Sequence, residues 1–283
     1  MFNKVLVATD LSAHSEKLLP CLYSVCPDID TEVAVAHVFD DPDDADPDSC
    51  GYKKVQSRLR GLINDLNRAG YENAQDLYYD GVPFEQLQRA ADETEAELVL
   101  VASHGKGFFK SALLGSTTFD LARTTQFPLL ICKDCAALGS AEVSLLDKVL
   151  IPTDFSKKSL EALNVIRALR EHISEIVFVH VIERSRDQQE LDEKILSAEQ
   201  RLTELVDEMR IFGLKASYIV RRGSASKSIL RVAIKEKATV IIMAKTGAGL
   251  VKGLVIGSTA QNVLLNADCS LLLLPPVDTV DDE

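Results

Sequence analysis

Leu98-Val99-Leu100-Val101-Ala102-Ser103-His104-Gly105, nine residues, and then Gly115-Ser116-Thr117 form the stretch on which the reading of this chain turns. It returns as Val240-Ile241-Ile242-Met243-Ala244-Lys245-Thr246-Gly247, nine residues, and Gly257-Ser258-Thr259. Each copy opens on a short apolar run that reads as a buried strand and closes on Ser and Thr placed to open a helix. A strand, a glycine-bearing loop and a helix N-terminus together make an anion site, because unpaired backbone N–H groups and the positive end of the helix converge there.

The repeat extends outward from this core. Val5-Leu6-Val7-Ala8-Thr9-Asp10-Leu11-Ser12 matches Val149-Leu150-Ile151-Pro152-Thr153-Asp154-Phe155-Ser156, and His37-Val38 matches His180-Val181. Gly81, Gly105 and Gly115 then match Gly223, Gly247 and Gly257, so the offset shrinks from 144 residues at Val5 to 142 at Gly115. A register this steady over a whole half-chain indicates duplication of a domain rather than chance recurrence of a short motif.

Periodicity gives the same alternation in both halves. Strands are expected near 3–9, 33–39, 75–80, 98–102 and 127–132, with helices near 12–25, 52–70, 83–94 and 115–124. The second half has strands near 147–153, 175–182, 215–221, 239–244 and 269–274, with helices near 157–172, 187–212, 225–236 and 257–265. The fold class expected is α/β, with two similar doubly wound, Rossmann-like parallel sheets of five strands each. The domains are expected at 1–138 and 146–283, separated by the small residues Ala136, Ala137, Gly139, Ser140 and Ala141. A linker this short, with the apolar strands Leu129–Cys132 and Leu271–Leu274 in need of cover, suggests an internal pseudo-dimer.

Composition narrows the function classes. The chain has 283 residues, enough for two domains with their own cores. Its net charge of −12 and lack of a basic stripe interleaved with aromatics argue against nucleic acid as a partner. No apolar run approaches the roughly 20 residues of a membrane span, and no leader pattern opens the chain, so a cytoplasmic protein is expected. The six cysteines show no disulfide framework. Cys132 and Cys135 have the spacing of half a zinc site or a redox pair, but no second pair accompanies them, and a strand-end thiol plus a linker thiol is the simpler reading.

In a doubly wound sheet, ligands lie outside the carboxyl ends of the strands where the winding reverses. Asp10 and Asp154 close the first strand of each half, Val38 and Val181 close the second, and the glycine loops follow the fourth. A carboxylate there can accept hydrogen bonds from a ribose or an adenine amino group. Alternatively, Asp10 and Asp154 can simply cap the segments that follow them, and the glycines can simply satisfy turns. His37 and His180, at strand ends, read as structural hydrogen-bonding residues.

The Thr-Asp-[Leu/Phe]-Ser segment, the His-Val segment and the Gly-x9-Gly-Ser-Thr spacing together resemble the universal stress protein family, in its tandem two-domain form, over essentially the whole chain. The family pattern Gly-x2-Gly-x9-Gly-[Ser/Thr] departs at its first glycine, which is Ala102 in one half and Ala244 in the other. The resemblance implies an adenine nucleotide alpha hydrolase-like fold and binding of ATP or AMP, with Mg2+ as a companion of ATP. Carried over by position, Thr9 and Asp10, and Thr153 and Asp154, meet the adenosine, and Val38 and Val181 meet adenine. Ala102, Gly105, Gly115, Ser116 and Thr117 surround ribose and phosphates in the first half; Ala244, Gly247, Gly257, Ser258 and Thr259 do so in the second. Ser103, His104 and Lys106 stand opposite Lys245, Thr246 and Ala248, so unequal affinities are expected. The family also implies a homodimer of tandem chains.

No catalytic constellation accompanies the cradle: a P-loop lysine, a nucleophile elbow and a metalloprotease helix are all missing. Asp40-Asp41-Pro42-Asp43-Asp44-Ala45-Asp46-Pro47-Asp48 fails as a calcium loop, since Ser49 and Val55 stand where glycine and glutamate are needed. It reads as a solvated loop, or as a lid flanking the first site. Three functions stay open: a nucleotide-dependent regulatory module in a stress response, a slow ATPase or self-phosphorylating enzyme, and a scaffold without ligand.

Overall fold

The computed structural model describes residues 2–12, 15–104, 114–133, 144–183, 187–247 and 256–275. The chain divides into two compact units, Met1–Val143 and Ser144–Glu283. In the first unit the strands are β1 (Lys4–Ala8), β2 (Glu32–Phe39), β3 (Gln75–Asp80), β4 (Leu98–Ala102) and β5 (Leu129–Cys132). The helices between them are α1 (Leu19–Val25), α2 (Cys50–Arg68), α3 (Pro83–Glu93) and α4 (Ser116–Thr124). The strands run parallel in the order β3-β2-β1-β4-β5. Winding reverses between β1 and β4, and this places the ends of those two strands side by side.

The second unit repeats the plan. Its strands β6 (Lys148–Pro152), β7 (Glu175–Ile182), β8 (Lys215–Arg222), β9 (Val240–Ala244) and β10 (Ser270–Leu274) are also parallel, in the order β8-β7-β6-β9-β10. Its helices are α5 (Lys157–Leu160), α6 (Ala162–Leu169), α7 (Gln188–Ile211), α8 (Ala225–Glu236) and α9 (Ser258–Asn266).

The central strands are continuous apolar runs because helices cover both faces of a parallel sheet. Leu6, Leu98 and Leu100 in the first unit, and Val149, Leu150, Ile241 and Ile242 in the second, are essentially inaccessible. Strands β3 and β8 lie at sheet edges and carry mixed side chains, half-exposed over much of their length. Loop chemistry fixes the entry to the long helices: Ser49 caps α2 by accepting from the Tyr52 N–H, and Asp187 caps α7 by accepting from the Gln189 N–H.

One expectation needs correction in both copies. The helix expected near 12–25 is a short 3-10 turn, Ser15–Leu18, followed by α1, with Pro20 in the first turn of α1. Proline lacks an N–H and its ring collides with the preceding turn, so an uninterrupted helix cannot run through it. The helix expected near 157–172 is likewise divided into α5, α6 and a 3-10 turn at Arg170–His172. At that break Glu161 N bonds Lys158 O and Asn164 N bonds Glu161 O, the tighter three-residue pattern.

Candidate functional site

The turn after the first strand is built twice on the same set of backbone, threonine and aspartate bonds. In the first unit Thr9 N donates to Ala36 O, which ties the end of β1 to β2. The Thr9 hydroxyl accepts from Leu11 N at 3.0 Å and donates to Ser15 Oγ at 2.9 Å. Asp10 Oδ1 accepts from Ser12 N at 2.9 Å. In the second unit Thr153 N donates to Val179 O, Thr153 Oγ1 accepts from Phe155 N at 3.0 Å and pairs with Ser159 Oγ at 3.0 Å, and Asp154 Oδ1 accepts from Ser156 N at 3.0 Å. Each aspartate therefore uses one carboxylate oxygen to close its own turn.

Leu11 and Phe155, between the aspartate and the serine, have φ of 58° and 62°. A side chain in this left-handed region costs of order 1–3 kcal/mol, so the surrounding bonds must over-determine it. A further bond comes from far away in sequence. Arg58, on α2, donates from Nη2 to Leu11 O at 2.5 Å, and Arg201, on α7, donates from Nη2 to Phe155 O at 3.4 Å. Arg201 also lies over the Phe155 ring, 4.1 Å from its centre. Neither arginine belongs to any motif visible in the sequence; their matching positions in the two long helices are the signal that could have exposed them.

His37 and His180 do the same work in each unit. The Nδ1 of His37 lies 2.8 Å from Thr9 O, and that of His180 lies 2.8 Å from Thr153 O. A carbonyl only accepts, so Nδ1 carries the proton in both. The rings orient the strand end, as a structural histidine does.

The glycine loops also match. Ser103 N donates to Cys132 O and Gly115 N to Ser103 O; Lys245 N donates to Leu274 O and Gly257 N to Lys245 O. Gly115 and Gly257 are the N-caps of α4 and α9, and at neither does a side chain bond the cap. A glycine cap brings no side-chain acceptor of its own to the first-turn amides, and its lack of a Cβ lets another group approach them. Thr118 Oγ1 donates to Ala102 O at 2.9 Å, which pins the first turn of α4 to the end of β4. In the second unit Ala260 stands in that place.

In the first unit these residues border one cavity of about 540 Å3, within the range of small-molecule sites. Thr9, Asp10, Val38, Ala102, Gly115, Ser116 and Thr117 all line it. His104, Asp40, Asp41 and Asp44 line it too, so of the two readings of the acidic stretch the one that places it beside the first site fits. Gly105 lies outside the described residues. The acidic loop thus flanks the cavity, with Ser49 Oγ donating to Asp44 O at 3.2 Å and Asp43 N to Asp41 Oδ1 at 3.0 Å. Cys132 is a buried strand-end thiol, whereas Cys135 lies outside the described residues.

The second unit distributes its counterparts differently. Val181 lines a groove of about 720 Å3 with Phe155, His180 and Arg201, between the end of β7 and the first half of α7. Gly247 sits against the aspartate, since a Cβ there would lie 2.6 Å from Asp154 Oδ2. Gly257 faces the loop, its Cβ position 3.5 Å from Lys245 O and 3.7 Å from Thr246 Cα. Thr153 and Ala244 are buried at their strand ends, while Ser258 is exposed and Thr259 half-buried at the start of α9. Lys245 is buried, and burial pushes its ammonium down to about 8. The Thr246 hydroxyl is also buried, with no hydrogen-bond partner among the described residues.

Among the described residues no cluster of three or more His, Cys, Asp or Glu side chains is placed to hold a metal ion, and no helix is long and apolar enough to cross a membrane.

Comparison with known proteins gives concordant results. The model of the Universal stress protein family matches residues 1–133 and again 146–275. A universal stress protein of Methanocaldococcus jannaschii is 30% identical over 141 residues, covering 46% of this chain and 83% of that protein. The universal stress protein YxiE of Bacillus subtilis is 26% identical over 148 residues, covering 47% of this chain and 100% of its own. Among solved structures, a universal stress protein from Archaeoglobus fulgidus superposes with a TM-score of 0.73 at 24% identity, covering 96% of this chain and 98% of that one.

Proposed function

This chain belongs to the universal stress protein family as a tandem member with two copies of the family domain, and on that premise we propose that it binds an adenine nucleotide, ATP or AMP, and acts as a nucleotide-dependent regulatory module. The observation that carries this reading is the cavity of the first unit. There a strand-end carboxylate, the end of β2 and a helix N-terminus with glycine at its cap border one space of about 540 Å3. Asp10 would accept from the nucleoside, Val38 would meet the base, and the first-turn amides of α4 with Ser116 and Thr117 would receive a phosphate.

Asp10, Asp40, Asp41 and Asp44 surround the same space, and their charge opposes bare phosphates. ATP would therefore enter as its Mg2+ complex, the metal arriving with the phosphates. The second unit carries the same turn and cradle with Lys245 and Thr246 in place of Ser103 and His104, so it would bind with a different affinity. Regulation is preferred over turnover because the glycine loops carry neither a P-loop lysine nor a nucleophile elbow.

The test is mass spectrometry of the small molecules released when freshly purified protein is denatured, followed by calorimetric titration with ATP and AMP, with and without Mg2+. The reading expects one or two equivalents of adenine nucleotide per chain, or saturable binding in titration. An empty protein that also gives no binding heat would refute it.

A further inference from the structure

Arg58 and Arg201 lie on long helices outside the glycine loops, and each reaches the same carbonyl in its own unit. Arg58 lies in the middle of α2 and Arg201 in the middle of α7. Their targets, Leu11 O and Phe155 O, belong to the left-handed residue that directly follows the site aspartate. The other bonds that hold this turn are local: the Thr9 and Thr153 hydroxyls accept from the left-handed residue itself, and the Asp10 and Asp154 carboxylates accept from the serine after it. Local bonds fix the shape of the turn, but they leave its orientation to the strand that feeds it. His37 and His180 tie the threonine at the head of the turn to the neighbouring strand, and the arginine ties its left-handed residue to a helix.

The geometry points to Arg58 and Arg201 as positioning residues that aim the Asp10 and Asp154 carboxylates into their sites from the long helices α2 and α7. A guanidinium suits this task because it stays charged at any working pH and makes a directional, charge-assisted bond to a carbonyl. The arrangement occurs in both units, on residues 47 and 46 positions from their targets, so both copies of the repeat carry it. A consequence is reciprocal linkage. If α2 fixes the Asp10 turn, a ligand held by Asp10 also fixes α2, and the helix becomes the route by which occupancy reaches the outer surface of the unit. Their role toward a nucleotide rests on the function proposed above; their role in holding the turn does not.

The full chain is compared with its Arg58→Met and Arg58→Lys variants by two readouts. The first is amide hydrogen exchange with no ligand present. Losing the bond is expected to speed exchange at Ser12 by about tenfold, with Leu6 and Val7 of β1 unchanged and partial recovery in the lysine variant. Unchanged Ser12 exchange, or equal loss at Leu6 and Val7, overturns the positioning role. The second readout is calorimetric titration with AMP, where the methionine variant is expected to weaken the first unit's affinity by about tenfold. Loss of turn protection with full affinity would show that Arg58 does not serve the site. A wild-type protein that binds no nucleotide would instead count against the proposed function, and the exchange data would still decide the arginine's part in the turn.

Discussion

At Gly247 one added methyl separates two roles that a glycine can play. Its Cβ would lie 2.6 Å from Asp154 Oδ2, the end of an exposed and adjustable side chain, so Gly247→Ala should displace the carboxylate while changing stability by less than about 1 kcal/mol. Thermal melts paired with nucleotide titration of the second unit check this; a large drop in melting temperature would mean that the glycine serves the fold. Asp10 divides in the same way. Asp10→Asn keeps an oxygen for the Ser12 N–H and should fold normally with weakened nucleotide binding, whereas Asp10→Ala should also cost about 1 kcal/mol of stability, as measured by urea unfolding.

Lys245 supplies a pH test at the same scale. Its folded-state value, pushed from 10.5 to about 8 by burial, means that the unfolded chain holds more protons between those two values. Stability therefore rises with pH across that window, and the cost of the buried charge is felt in full below it. Comparing melts of the wild type and Lys245→Met cancels the other titrating groups. The deficit of the wild type should shrink as pH rises from about 8 to about 10, and a constant difference would mean that the lysine titrates normally.

At the scale of elements, the centre and the edge of each sheet should respond differently. Leu100, on β4, is fully buried between helices, so Leu100→Ala removes apolar contacts and leaves a cavity, at a cost of about 2–5 kcal/mol. Tyr218, on the edge strand β8, is 37% exposed, and Tyr218→Ser should stay within about 1 kcal/mol. Denaturant unfolding of both variants measures the contrast. The strands were legible in sequence because parallel strands covered on both faces read as uninterrupted apolar runs. The division of the helices after β1 and β6 was not, because it depends on Pro20 in one copy and on a tightened turn at Glu161 in the other, and neither changes the apolar period.

For the whole molecule, duplication makes stoichiometry the informative quantity. Gly115→Val should remove binding in the first unit and leave the second, and Gly257→Val should do the reverse, because a branched side chain would occupy the space beside the helix N-terminus. Calorimetry of each variant should show the loss of one class of site with melting behaviour preserved. Binding unchanged from the wild type in both variants would exclude the cradle as the phosphate site.

The sequence by itself determined the duplication, the alternation of strands and helices, and the placement of Thr9, Asp10, Gly115 and their counterparts at strand ends, because these depend on local pattern and on a constant offset. It also reached the family, since the spacing between the glycines survives in both copies. Only the tertiary structure decided that Arg58 and Arg201 grip the aspartate turns, that Asp40, Asp41, Asp44 and His104 border the first cavity, and that Gly247 packs on Asp154. Each of these joins residues on different elements, and the distance between such residues is set by how helices lie on a sheet, which no local pattern records.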